Sequence, residues 1–123
     1  MTDVVAALIW ENDRFLLCRR PADKSRPLLW ELAGGKVEPG ETREQALVRE
    51  CREELDISVE PEEVFCEAVH DYPDLTIRLT VFRARIAEGT PRLKEHCGMI
   101  WASPAEAMQM ELCPADREVI SRL

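Results

Sequence analysis

Gly34-Gly35-Lys36-Val37-Glu38-Pro39-Gly40-Glu41-Thr42-Arg43-Glu44-Gln45-Ala46-Leu47-Val48-Arg49-Glu50-Cys51-Arg52-Glu53-Glu54-Leu55-Asp56-Ile57 reads as a glycine-rich turn running into a helix. Pro39-Gly40 marks the turn. Thr42 with Gln45 three residues on forms a capping box, and Glu41 and Glu44 suit the positive end of the helix that begins there. The helix is expected to run to about Leu55 and stop at Asp56. At about 100° per residue, Glu50, Glu53 and Glu54 share one arc of its surface. Leu47, Val48, Cys51 and Leu55 share a neighbouring arc fit to pack on a sheet. Three like charges on one face cost a few tenths of a kcal/mol per pair. A hard divalent cation would turn that repulsion into coordination. A solvated acidic face balanced by Arg49 and Arg52 is the alternative for the helix taken alone.

Working outward, Val4–Trp10 and Arg14–Cys18 are apolar runs around the turn residues Glu11-Asn12-Asp13, which predicts a hairpin. Leu28–Leu32 predicts a short strand leading into Ala33-Gly34-Gly35. After the helix, Ile57 and Val59 open another strand. Val64–Tyr72 and Thr76–Ile86 follow as strands around Pro73-Asp74, and Met99–Ala102 as a last short one. Ser103-Pro104-Ala105-Glu106 is a second capping box with proline at the first helical position, and a final helix is expected over Pro114–Leu123. Strands outnumber helices, with one helix in mid-chain. An α+β domain with a mixed sheet and helices on its faces is the expectation, one domain over 1–123.

The 123 residues are 46% apolar, enough for a core built on Leu, Val, Ile and Ala. Acids outnumber bases by 24 to 16, a net charge of −8. That balance argues against polymeric nucleic acid as a partner, although bound cations can invert local charge around a small anionic ligand. No apolar run approaches the ~20 residues of a membrane span. The acidic start, Met1-Thr2-Asp3, is unlike a signal peptide. Five scattered cysteines without a CxxC pair suggest reduced thiols in the cytoplasm.

The spacing of the central stretch resembles the signature of the Nudix family. Gly35, five residues, Glu41, seven residues, then Arg49-Glu50-Cys51-Arg52-Glu53-Glu54-Leu55-Asp56-Ile57 follows that pattern over 23 positions with every charge in place. Cys51 stands at an apolar position, which a buried thiol fills. Asp56 replaces a glycine, at a cost on the order of 1 kcal/mol if the backbone there is left-handed. Trp30–Glu38, Leu17–Pro21, Tyr72-Pro73-Asp74 and the tail from Glu95-His96 to Pro114-Ala115-Asp116 resemble MutT-type members, and the tail resembles the subgroup acting on CTP or oxidised nucleotides.

The resemblance implies an α/β/α sandwich and hydrolysis of a phosphoanhydride with Mg²⁺ or Mn²⁺. A nucleoside triphosphate, normal or oxidised, would give the monophosphate and pyrophosphate. Glu53 and Glu54 match the metal ligands, with a carbonyl of Gly34 or Gly35. Glu50 matches a metal ligand or general base, and Arg49 a residue that orients these carboxylates. Glu95 matches a loop glutamate that reaches the metal. Arg19 and Arg20 are expected to face the substrate. Asp116, taken as an ionised acceptor, would read the base, with a helix N-terminal acid as the alternative. Tyr72 and Leu32 offer flat walls for a base or serve the core. Glu41 supports the box or only the helix start, while His70 and His96 are read as structural. The implied partner is a small nucleotide bound by a monomer, with a homodimer as the other arrangement. Cleavage of another nucleoside diphosphate conjugate, such as ADP-ribose, is the competing activity. A silent nucleotide sensor is disfavoured by the retained box glutamates.

Overall fold

The computed structural model describes residues 1–123, and ten elements follow in order: β1 (Thr2–Glu11), β2 (Arg14–Arg19), β3 (Trp30–Glu31), β4 (Gly34–Lys36), α1 (Arg43–Leu55), β5 (Ser58–Asp71), β6 (Thr76–Glu88), β7 (Gly98–Ala102), α2 (Pro104–Met108) and α3 (Pro114–Ile120). The seven strands form one mixed sheet in the order β3-β2-β1-β6-β5, with β4 also beside β1 and β7 also beside β2. The pairing of β1 with β6 is parallel and requires the long crossover through α1, whereas the other pairs are antiparallel.

Strand β1 is apolar on both faces because both are covered. Val5, Ala7 and Ile9 meet Ala46, Leu47, Cys51 and Leu55 of α1 on one side. Ala6 and Leu8 meet Ala107 of α2 and Ala115, Val119 and Ile120 of α3 on the other. This is the α/β/α sandwich. Truncating the fully buried Leu47 to alanine would cost about 2–5 kcal/mol.

Both halves of the Thr42–Gln45 capping box form, at 3.1 and 2.9 Å. Asp56 ends α1 with φ 56° and ψ 38°, its N–H donating to the Arg52 carbonyl. Its left-handed backbone is the conformation that favours glycine there.

Several elements differ from expectation, and the last helix ends at Ile120 instead of Leu123. The strand expected over Leu28–Leu32 shrinks to Trp30–Glu31, because Arg26 (φ 52°) and Leu28 (φ 61°) turn the backbone on either side of Pro27. The strands expected at Ile57 and Val64 are one strand, β5, whose register shifts between Pro61 and Val64 and again before Cys66. Strand β4 was not foreseen. A Cβ at Gly34 would lie 1.9 Å from the Val5 carbonyl oxygen, so only glycine allows this approach to β1.

Candidate active site

Helix α1 presents its carboxylates to the turn that β4 holds against β1. A Cβ at Gly35 would stand 2.4–2.6 Å from the carboxyl atoms of Glu50, so the glycine makes room for that side chain. Glu54 is buried, and its Oε1 accepts the Gly34 N–H at 3.0 Å. Glu53 is half exposed.

Arg49 binds the group together. Its Nε and Nη2 donate to the two oxygens of Glu41 at 2.7 and 3.0 Å, and Nη2 also donates to the Lys36 carbonyl. Its Nη1 donates to Glu50 at 2.9 Å and reaches Glu53 at 3.3 Å. The guanidinium is thus a brace rather than a solvated counter-ion, and Glu41 is part of the same brace. This contact draws the Glu41 carboxyl down to about 2. Burial pushes Glu54 up to about 9, with Glu31, Glu50 and Glu95 adding to the effect. Burial also raises Glu50, against the opposing pull of Arg49.

A buried, repelled carboxylate set beside a glycine turn suits a hard cation. The donors Glu50, Glu53 and Glu54, with the adjoining backbone carbonyls, are all oxygen, as Mg²⁺ prefers. Glu95 faces a recess of about 90 Å³ together with Glu54 and Glu31. Glu31, Cys113 and Asp116 also bring ligand atoms within 4.8 Å of one another. Their thiol makes that trio a poor match for a hard ion.

A cavity of about 390 Å³ extends from Glu50 and Glu54 past Arg20 to Tyr72, Asp116 and Leu32. Tyr72 keeps its hydroxyl on the Ala115 N–H at 3.0 Å, with the Arg26 guanidinium 4.1 Å from its ring centre. His70 packs against the same ring at 4.5 Å. Asp116 is buried, and its Oδ1 accepts the Leu32 N–H at 2.9 Å. Burial first, and Glu31 second, hold its carboxyl well above the usual carboxylate range. A carboxyl raised in this way favours its protonated form, in which Asp116 can donate a hydrogen bond, over the ionised acceptor expected from the sequence.

Arg19 does not join this cavity. As adjacent residues of an extended chain, Arg19 and Arg20 point opposite ways. Arg20 lines the cavity and donates through Nη1 to both Glu31 oxygens at 3.1 and 3.2 Å. Arg19 lies 5.8 Å from the Trp30 ring centre and donates to the Leu28 carbonyl.

Glu31 is the residue that sequence reasoning missed. It accepts from Arg20, contacts His96 Nε2 at 2.9 Å, and has Cys113 Sγ at 3.9 Å. Its signal was a lone acid inside the apolar run Leu28-Leu29-Trp30-Glu31-Leu32.

The NUDIX domain family matches residues 4–122. The CTP pyrophosphohydrolase of Escherichia coli K12 is 43% identical over 116 residues, covering 94% of this chain and 86% of that protein. The 8-oxo-dGTP diphosphatase of the same strain is 35% identical over 92% of this chain and 88% of its own. Among solved structures, the MutT protein from Methanosarcina mazei Go1 superposes with a TM-score of 0.90 at 28% identity, covering 98% of this chain and 91% of that one. Likeness of this extent, reaching from β1 to α3, means that the chain belongs to the Nudix hydrolase family.

Proposed function

We propose that this chain is a Mg²⁺-dependent pyrophosphohydrolase of nucleoside triphosphates, releasing the monophosphate and pyrophosphate. One observation carries the reading: a single cavity is lined by the Glu50 and Glu54 carboxylates and by the Asp116 and Tyr72 side chains, with Glu31 beside Glu54 and close to Asp116. A nucleotide calls for both sets, having a polyphosphate that needs cations and a flat base with a hydrogen-bonding edge.

Glu50, Glu53 and Glu54 would hold the ion, with Glu95 and a carbonyl of Gly34 or Gly35. Bound Mg²⁺ would neutralise the polyphosphate and acidify an attacking water. Arg49 fixes Glu50 and Glu53 so that their oxygens need not reorganise during the reaction. Glu50 keeps 14% of its side chain exposed and is raised by burial, which suits it to take a proton from the attacking water. The water oxygen bonds to phosphorus as the anhydride P–O bond breaks. Arg20, Lys24 and Lys36 line the cavity and draw the anionic phosphates in.

At the base, Asp116 in its protonated form would donate while Glu31 accepts. Cytosine (N3 and the N4 amino group) and 8-oxoguanine (O6 and N7–H) each present an acceptor beside a donor, matching that pair. The cavity is complete within one chain, which favours a monomer, and five unpaired thiols suit the cytoplasm.

The test is pyrophosphate release with Mg²⁺ across CTP, dCTP, UTP, dGTP, 8-oxo-dGTP and ADP-ribose. Pyrophosphate and monophosphate as products, with CTP or 8-oxo-dGTP among the best substrates, are expected. Orthophosphate as the only phosphate product, or ADP-ribose as the preferred substrate, would overturn the reading.

A further inference from the structure

His96 follows Glu95 directly and lines the same recess as Glu54, and its side chain meets the Glu31 carboxylate there. Its loop is strapped on both sides. The Lys94 N–H donates to the Glu54 carbonyl at 3.2 Å, and the Cys97 N–H donates to the Arg19 carbonyl at 2.9 Å. The backbone therefore holds the imidazole in place independently of its own contacts.

The imidazole is 4% exposed, with Nε2 2.9 Å from Oε2 of Glu31 and Nδ1 buried without a partner. An acceptor left bare in the interior is costly, so packing alone would be served better by an aliphatic side chain. The imidazole gains only its contact with Glu31.

That contact supplies what Arg20 does not. Arg20 approaches Glu31 with one nitrogen placed almost equally from both oxygens, at 3.1 and 3.2 Å. This neutralises the carboxylate but leaves its rotation weakly defined. His96 takes Oε2 alone, so Oε1 is left on the side of Cys113, 3.9 Å from its Sγ. Glu31, Cys113 and Asp116 converge there.

We propose that His96 is a positioning residue for base selection: its Nε2–H pins one oxygen of Glu31 so that the other meets the edge of the nucleobase. The inference rests on the nucleotide reading of the cavity given above. It adds the residue that sets the geometry of the acceptor.

The experiment compares kcat and KM for CTP and UTP, which differ at the 4-position, in wild type, His96→Ala and His96→Gln. Gln places an amide nitrogen near the position of Nε2, and Ala removes the donor. The CTP-to-UTP ratio of kcat/KM is expected to shift about tenfold in His96→Ala. The shift should lie in KM, with kcat within about threefold of wild type, and His96→Gln should recover most of it. An unchanged ratio in His96→Ala overturns the proposal. So does an equal loss for both bases, or a His96→Gln protein that behaves like His96→Ala.

A second measurement does not depend on turnover. Nitrogen-15 NMR of the imidazoles should show the His96 proton on Nε2, with a resonance that moves in Glu31→Gln. A proton on Nδ1, or a resonance indifferent to Glu31, overturns the proposal even if the chain hydrolyses nucleotides. A chain with no Mg²⁺-dependent pyrophosphate release refutes the nucleotide reading instead, and the NMR result still decides the contact.

Discussion

Replacing Glu54 with glutamine is expected to stabilise the metal-free protein at neutral pH, even though it removes a proposed metal ligand. Glu54 is buried beside Glu31, Glu50 and Glu95, which raises its carboxyl from an ordinary 4.5 to about 9. In the unfolded chain that carboxyl ionises near 4.5, whereas in the metal-free fold it keeps its proton. The raised value therefore costs nothing below about pH 4.5, and the cost grows as pH rises until the folded group also ionises near 9. At pH 7 the penalty depends only on the unfolded value, provided the folded one lies above 7. With about 1.36 kcal/mol per pH unit, it reaches about 3.4 kcal/mol. Relaxation of the site reduces this, so a gain of about 1–3 kcal/mol is expected for Glu54→Gln. Glutamine keeps an oxygen for the Gly34 N–H and turns an amide toward the neighbouring acids. The assay is thermal unfolding of both proteins with a chelator at pH 7 and pH 4.5. The variant should be more stable at pH 7, by a melting shift of about 4 °C per kcal/mol, and nearly equal at pH 4.5. Mg²⁺ should raise the wild-type midpoint and leave the variant almost unmoved. A variant no more stable at pH 7, or equally stabilised at both pH values, would show that Glu54 is not a strained acid.

Glu53→Gln should fold normally and lose hydrolysis by about two orders of magnitude or more, because the amide offers a cation no charge; near-native Mg²⁺-dependent turnover would remove Glu53 from the site. Asp116→Ala should change the ratios of kcat/KM among CTP, dCTP, dGTP and 8-oxo-dGTP by about 1–3 kcal/mol while metal dependence persists; constant ratios would reduce Asp116 to a support for the Leu32 backbone. Asp56→Gly should raise stability by about 0.5–1 kcal/mol in thermal unfolding without altering turnover, since φ 56° favours glycine and the side chain only pairs loosely with Arg52 and Arg92; a destabilised variant would mean that those pairs outweigh the backbone cost.

Helix α1 was legible because its determinants are local. Thr42 and Gln45 cap it within one turn, and residues three and four apart define its two faces. Gly35 was expected only to lend a carbonyl, and the room it makes for Glu50 is visible only once the turn lies against the helix. The base end was harder to read. Glu31 meets His96 across 65 positions, and Leu32 meets Asp116 across 84, with no shared period to announce either pair. The upward push on the Asp116 carboxyl also depends on burial that only the assembled fold provides. Strand β4 escaped notice because two glycines carry no alternation. What they encode is a close approach to β1, visible only once that neighbour is in place.

The irregular strand β5 has a bearing on how this protein behaves in concentrated solution. It forms one border of the sheet, and Val64 and Val69 stand exposed along it. Such a border offers free backbone groups onto which another chain could extend the sheet. The register shifts between Pro61 and Cys66 interrupt the flat run that extension would need, and the Glu62 carboxylate, with Glu60, Glu63 and Glu67 partly offset by Arg85, Arg83 and Arg43, opposes the approach of an identical border. Both defences are built into the strand, but only one survives acid. As the pH falls through the carboxylate range the repulsion disappears while the exposed valines remain, so self-association should set in there before the fold itself gives way.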